Sequence, residues 1–194
     1  MTLVGRPAPA NRALTPVVGT LLLVGVTVLL AAVVATAAFG HAAATAEPAP
    51  TVAQSAAEYE TYAAGGGRYR EQVLRLTHLA GDTLAVADLE LVVDASDACG
   101  KVGRLVNLPA AGDSLRPAGE YVRGDDLFDN SYDAVEGPIG TGDVDDDGAW
   151  SAGETAQFRL ATSECRLAPG ETLTVRVVHA PTGSVVVAER VRAD

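Results

Sequence analysis

Lysine is almost missing from this chain: Lys101 is the only one, set against 13 arginines. Basic groups of both kinds number 14 against 25 carboxylates, for a net charge of −11. Binding to a phosphate backbone needs a basic patch, so this balance argues against nucleic acid as a partner. Histidine is scarce too. His41, His78 and His179 lie far apart, with no second ligand at metal spacing, which excludes a histidine-based metal centre. The sequence has no Gly-X-Ser-X-Gly elbow, no phosphate-cradling glycine loop and no cysteine–histidine nucleophile pair, and so offers no catalytic site. It also lacks an Asn-X-Ser/Thr acceptor, because Asn130-Ser131-Tyr132 fails at its third position. Nothing acidic occurs in the first 46 residues.

That acid-free beginning holds a 24-residue run without a charge, from Val17 to Gly40. As a helix it measures roughly 36 Å, enough to cross a hydrocarbon core of about 30 Å. Arg6 and Arg12 precede it, so the flanking positive charge marks a cytoplasmic N-terminus and sends the remainder outside. A cleaved secretory signal has an apolar region of only about 7 to 15 residues. The small residues Gly40, Ala42, Ala43 and Ala44 nevertheless imitate a cleavage site. A buried core helix would show a polar stripe, and none is present.

Residues 47–194 carry twelve basic groups against all 25 carboxylates, a balance of −13. Such a surface suits a salt-rich surrounding, where screening relieves self-repulsion. Codon composition can also replace lysine by arginine, but the carboxylate excess is what calls for salt. This part is long enough for one domain with a core. Pro48 and Pro50 end the first helix near Ala46, the stretch Ala42 to Ala57 is weakly patterned, Glu58 to Ala64 fits either a short helix or a strand, and Gly65-Gly66-Gly67 breaks it, so the whole reads as a hinge or spacer. Alternation then marks strands: Leu74, Leu76 and His78; Leu89, Leu91 and Val93; Phe158 and Leu160; Leu173, Val175 and Val177. A hairpin is expected over 172–191 around Ala180-Pro181-Thr182-Gly183. The segment from Asn107 to Gly142 reads as a long loop with one strand or short helix. The resulting scheme is an N-terminal transmembrane and assembly helix, residues 13–46, a linker over 47–67, and a head over 68–194. The head is expected to be a mostly-β ectodomain, an antiparallel β-sandwich of about seven strands.

Two constellations within the head point to chemistry. Cys99 and Cys165, an even pair in an exported domain, favour a disulfide; two separate buried thiols are the other possibility. Residues 143–154 match the Asp-X-Asp-X-Asp-Gly-X5-Glu calcium loop, with Asp143, Asp145, Asp147, the backbone at Ala149, Ser151 and Glu154 as ligands. Neither flank is helical, so the same residues also fit an acidic, solvated turn with Trp150 packed back on the sandwich. Asp125, Asp126, Asp129 and Asp133 lack ligand spacing and read as surface. Arg123-Gly124-Asp125 spells an integrin tripeptide that recurs by chance.

Arg12-Ala13-Leu14-Thr15-Pro16-Val17-Val18-Gly19, running into the apolar helix, resembles the start of haloarchaeal type IV pilin precursors. Two later segments, His78 to Leu84 and Trp150 to Glu154, look like parts of the β-rich heads of that family. The resemblance implies a prepilin peptidase cut between Arg12 and Ala13, with Pro16 part of the recognised segment and residues 1–12 removed. It implies a non-enzymatic structural subunit that associates with its own copies through the helix, forms an extracellular filament and serves adhesion or surface contact. Val17 occupies the fifth mature position, where bacterial pilins place a glutamate, so no carboxylate-to-N-terminus pairing guides assembly. The competing reading is a single-pass membrane-anchored extracellular binding module, using calcium and never polymerising.

Overall fold

The computed structural model describes residues 15–44, 48–66, 69–111, 114–116, 119–140 and 147–194. The chain divides into two units, Met1–Glu47 and Pro48–Asp194. In the first, helix α1 spans Thr15–Ala44. Pro16 sits in its first turn, where the missing N–H is of no consequence. The leucines and alanines that follow lose little freedom in a helix.

The described residues of the second unit form eleven strands: β1 (Val52–Ala64), β2 (Tyr69–Gly81), β3 (Leu84–Ala85), β4 (Leu89–Ala95), β5 (Lys101–Leu105), β6 (Val122–Gly124), β7 (Val135–Glu136), β8 (Ala149–Trp150), β9 (Thr155–Leu160), β10 (Thr172–His179) and β11 (Ser184–Arg192). A single turn of helix, α2 (Ser96–Cys99), follows β4. Seven of the strands have five residues or more; β3, β6, β7 and β8 have two or three. Six of the longer seven lie in the 68–194 segment expected to hold about seven, and the other, β1, lies in the expected linker. All pairing is antiparallel, in a four-stranded sheet β1-β2-β9-β7, a five-stranded sheet β11-β10-β4-β5-β6 and the small pair β3-β8.

Alternation explains the core. Leu74, Leu76, Phe158 and Leu160 on one sheet and Leu91, Val93, Val175 and Val177 on the other are buried in one apolar cluster. The expected hairpin is present as β10 and β11. The spacer reading is corrected: residues 52–64 are a 13-residue strand paired with β2 from Val52↔Gly81 to Ala64↔Tyr69. Its alanine and serine content carries little strand signal, and cross-strand pairing supplies what local propensity does not. Gly65 and Gly66, at φ 60° and 71°, make the turn to β2 rather than a hinge. The loop expected over 107–142 also holds more than one short element, namely β6 and β7, and it contributes Leu108, Leu115, Leu127, Phe128 and Ile139 to the core.

Three polar ties fasten the sandwich. Cys99 and Cys165 form a disulfide with Cα atoms 5.6 Å apart, closing a sequence separation of 66. The buried Gln72 side chain accepts from Tyr59 Oη at 2.9 Å and the Leu167 amide at 2.8 Å, and donates to the Cys165 carbonyl at 2.7 Å. Its amide is thereby satisfied inside the core. The buried Arg159 guanidinium meets Glu71 at 3.2 Å and Asp133, pinning the 107–140 segment to β2 and β9. Arg159 holds the Asp133 carboxyl below the usual carboxylate range. Hydrogen bonds from Ser96, helped by Arg176, do the same for Asp94.

Carboxylates with depressed folded values stabilise the fold above the ordinary pKa of about 4, and that contribution disappears as pH falls through the folded values. Trp150, the one tryptophan and 1% exposed, reports unfolding by its fluorescence. The denaturation midpoint is expected to fall between about pH 5 and pH 2, and to fall less steeply in Asp94→Asn. Replacing Cys99 and Cys165 together by serine is expected to cost about 2 to 5 kcal/mol in the same assay. In the native protein, iodoacetamide is expected to label neither cysteine until reductant is added.

Candidate functional site

The most conspicuous surface of the first unit is α1 itself. Twelve large aliphatic side chains between Val17 and Val34 are exposed, each by half or more. They cover the helix all round, and Val17–Ala35 is long and apolar enough to cross a membrane. Two hydroxyls interrupt the hydrocarbon. Thr20 Oγ1 donates to the Val17 carbonyl at 3.0 Å and Thr27 Oγ1 to the Val24 carbonyl at 2.9 Å. Bonds of this kind let a helix carry threonine at membrane depth without an unsatisfied donor. Sequence reading treated the run as uniformly apolar and missed this device. At Gly25 the surface dips, and Val18, Leu21, Leu22, Val26 and Leu29 line a shallow apolar groove around it. Arg12 and Ala13 lie outside the described residues, while Pro16 lies in the helix's first turn.

The acidic loop is described in part. Asp143 and Asp145 lie outside the described residues; Asp147, Ala149, Ser151 and Glu154 lie within them. Asp147 Oδ1 accepts the Ala149 amide at 2.8 Å, and the Glu154 carboxylate accepts the Ser151 amide. Trp150 Nε1 and the His78 amide both donate to the Glu154 carbonyl, at 3.2 and 3.0 Å. The Gly153 amide donates to the His78 carbonyl at 2.6 Å. Trp150 is buried edge-on to the His78 ring, centroids 6.2 Å apart, and pairs through its backbone with Leu84. The loop is thus fastened to β2 and β3. His78, 1% exposed, has its Nδ1 3.3 Å from the Trp150 carbonyl, while Nε2 has no partner among the described residues. Among those residues no three acidic, histidine or cysteine side chains gather as a metal group.

Arg123-Gly124-Asp125 is held at a sheet edge. Asp125 Oδ2 accepts the Val102 amide at 2.8 Å, and Arg123 donates to the carbonyls of Gly119 and Val122. Both charged members are therefore tied into the fold. Asp126 and Asp129 line an open depression with Asn130 and Glu164. Burial, then the charge of Glu164, pushes the Asp126 carboxyl up, with Lys101 opposing.

An apolar helix that exposes its aliphatic side chains and returns the hydroxyls of Thr20 and Thr27 to its own backbone suits an apolar surrounding such as a membrane. Residues 12–53 match the family model described as Archaeal Type IV pilin, N-terminal. The family recognised in this segment is that of the archaeal type IV pilins. The match takes in α1 and reaches Ala53 at the start of β1, leaving the head outside it. No curated protein matches the chain. A pilin N-terminal domain on a membrane-capable helix supports membrane anchoring and a structural, pilin-like subunit.

Arginine at the centre of a membrane helix costs about 2.5 to 3.5 kcal/mol on insertion scales. Arginine at both Leu23 and Leu30 is therefore expected to move most of the chain from the carbonate-resistant membrane fraction to the extractable one. Valine at Thr20 and Thr27 is expected to leave that fraction unchanged, since each hydroxyl bonds to a carbonyl of its own helix.

Proposed function

We propose that this chain is the structural subunit of an archaeal surface filament, with α1 as the element that assembles. The observation that carries the reading is the conjunction of the pilin match with a helix exposing aliphatic side chains on every side. In a bilayer those side chains meet lipid; in a filament they meet the same helix of other copies. The two environments are similarly apolar, so van der Waals packing and close approach decide between them. Gly19 and Gly25, where an added Cβ would meet nothing within 4 Å, leave room for a neighbouring helix.

A prepilin peptidase cuts between Arg12 and Ala13 on the cytoplasmic side, and the acidic head faces outward, where it serves adhesion or surface contact. The positive charge ahead of the helix and the disulfide in the head support this orientation. Mass spectrometry of the mature N-terminus tests the reading. Ala13 as the first residue is expected. An intact Met1 or Thr2 contradicts it and leaves a membrane-anchored module that never polymerises, and a start after Ala42 contradicts it by removing the helix altogether.

The spacing of Asp143, Asp145, Asp147, Ser151 and Glu154 supports a structural Ca²⁺ site that stiffens the loop. Calorimetric titration with Ca²⁺ is expected to give heat that Asp143→Ala or Glu154→Ala abolishes. A silent wild-type titration would end this assignment.

A further inference from the structure

Register assigns alternate strand residues to the outer sides of the two sheets, and the two outer faces differ in sign. On the five-stranded sheet, Leu173, Val175, Val177, Leu105, Val122 and Val191 point into the core. Their neighbours Arg104, Arg123, Arg176, Arg190 and Arg192 therefore face outward, against Glu90 and Asp94 on the same side. Arg123, Arg104, Val92, Arg176 and Ala188 form one row across all five strands. Val92, between Arg104 and Arg176 in this row, is only 6% exposed. Arg104 pairs with Glu90 at 2.7 Å and Arg176 with Asp94 at 3.1 Å. Arg190 reaches Asp97 only at 3.9 Å, and Arg123 and Arg192 have no ion-pair partner among the described residues.

The four-stranded sheet is the reverse. Glu58, Glu60, Glu71 and Glu136 lie on its outer side with Arg75 and Arg159. Both arginines are already engaged, Arg75 by Glu60 and Arg159 by Glu71 and Asp133. Glu58, Arg75, Gln157 and Glu136 make one row across four strands, with a carboxylate at each end. An acidic head thus concentrates arginine on one broad face and leaves carboxylates in excess on the opposite one.

We propose that these faces are the two halves of a contact between heads of neighbouring copies, the arginine face of one docking on the glutamate face of the next. The inference rests on the filament reading and names the partner of the head within it. Charge complementarity selects a second copy, because the surface that fits the arginines is present on the same molecule's other side. A contact between unlike faces is heterologous, so repetition generates an open array, as a filament requires.

The test uses the full chain in cells where it is the sole source of the subunit. Three variants are compared: Arg104→Glu with Arg176→Glu, Glu58→Arg with Glu136→Arg, and all four together. The chain is quantified in sheared filaments against the membrane, and the detergent-solubilised chain is examined for self-association by sedimentation velocity. Each double variant is expected to lower filament recovery about tenfold or more and to weaken self-association, and the fourfold variant to recover most of both. A double variant that assembles like the wild type overturns the proposal. So does a fourfold variant that fails to recover with its disulfide and unfolding midpoint intact. If the wild type yields no filaments, the filament reading fails by itself, and the sedimentation pattern alone upholds or overturns the pairing of faces. Loss of cosedimentation with phosphatidylglycerol vesicles in the arginine variant, with self-association unchanged, also overturns it and assigns that face to lipid.

Discussion

Hydrocarbon on all sides of α1 is the constraint to which the rest of the molecule answers. Twelve exposed aliphatic side chains cannot remain in water, because every one of them adds apolar area to be removed from it. Helical hydrogen bonding satisfies the backbone, and the back-bonded hydroxyls of Thr20 and Thr27 remove the two remaining polar side-chain groups on the span. What remains is a rod that can exchange one apolar neighbour for another without exposing a polar group. Lipid and a second copy are both adequate partners, and movement between them needs no refolding of the helix.

The head answers a different problem, that of staying folded under an excess of its own negative charge. Its carboxylate excess keeps it soluble, while self-repulsion works against compactness. The disulfide, the Gln72 bridge and the Arg159 cluster oppose that repulsion from inside, each joining segments distant in sequence. Arg159 counters two carboxylates at a nearly buried position, and either left alone would raise the repulsion across β2 and the 107–140 segment. The disulfide holds the 161–167 stretch against α2, and the same stretch supplies the carbonyl and amide that satisfy Gln72.

Much of this was legible in the sequence. The helix was visible because its pattern is an absence of polarity over a length that only a membrane or a filament core uses. The strands from Leu74, Leu89, Phe158 and Leu173 were visible because leucine and valine alternate there with polar residues. Strand β1 was hidden by alanine and serine, whose local preferences say little, and only Tyr59 marks its inner side strongly. The core contribution of residues 107–140 was hidden for another reason: Leu108, Leu115 and Leu127 are buried from irregular backbone, which has no period to detect. The calcium spacing was legible as a pattern, but the tie of Glu154 to Ser151 and the burial of Trp150 on His78 depend on strand pairing far apart in the chain. The opposed charge of the two faces was likewise invisible to a net charge, since it arises from which residue of each strand points outward.

Electron cryomicroscopy of filaments sheared from cells tests the central claim most directly. The account requires helices running from Ala13 to be packed against one another at the filament axis, with the β-sandwich heads outside and no lipid between the rods. Recovery of the chain only as single molecules in the bilayer, with its first residues intact and no fibre containing it, would contradict the account.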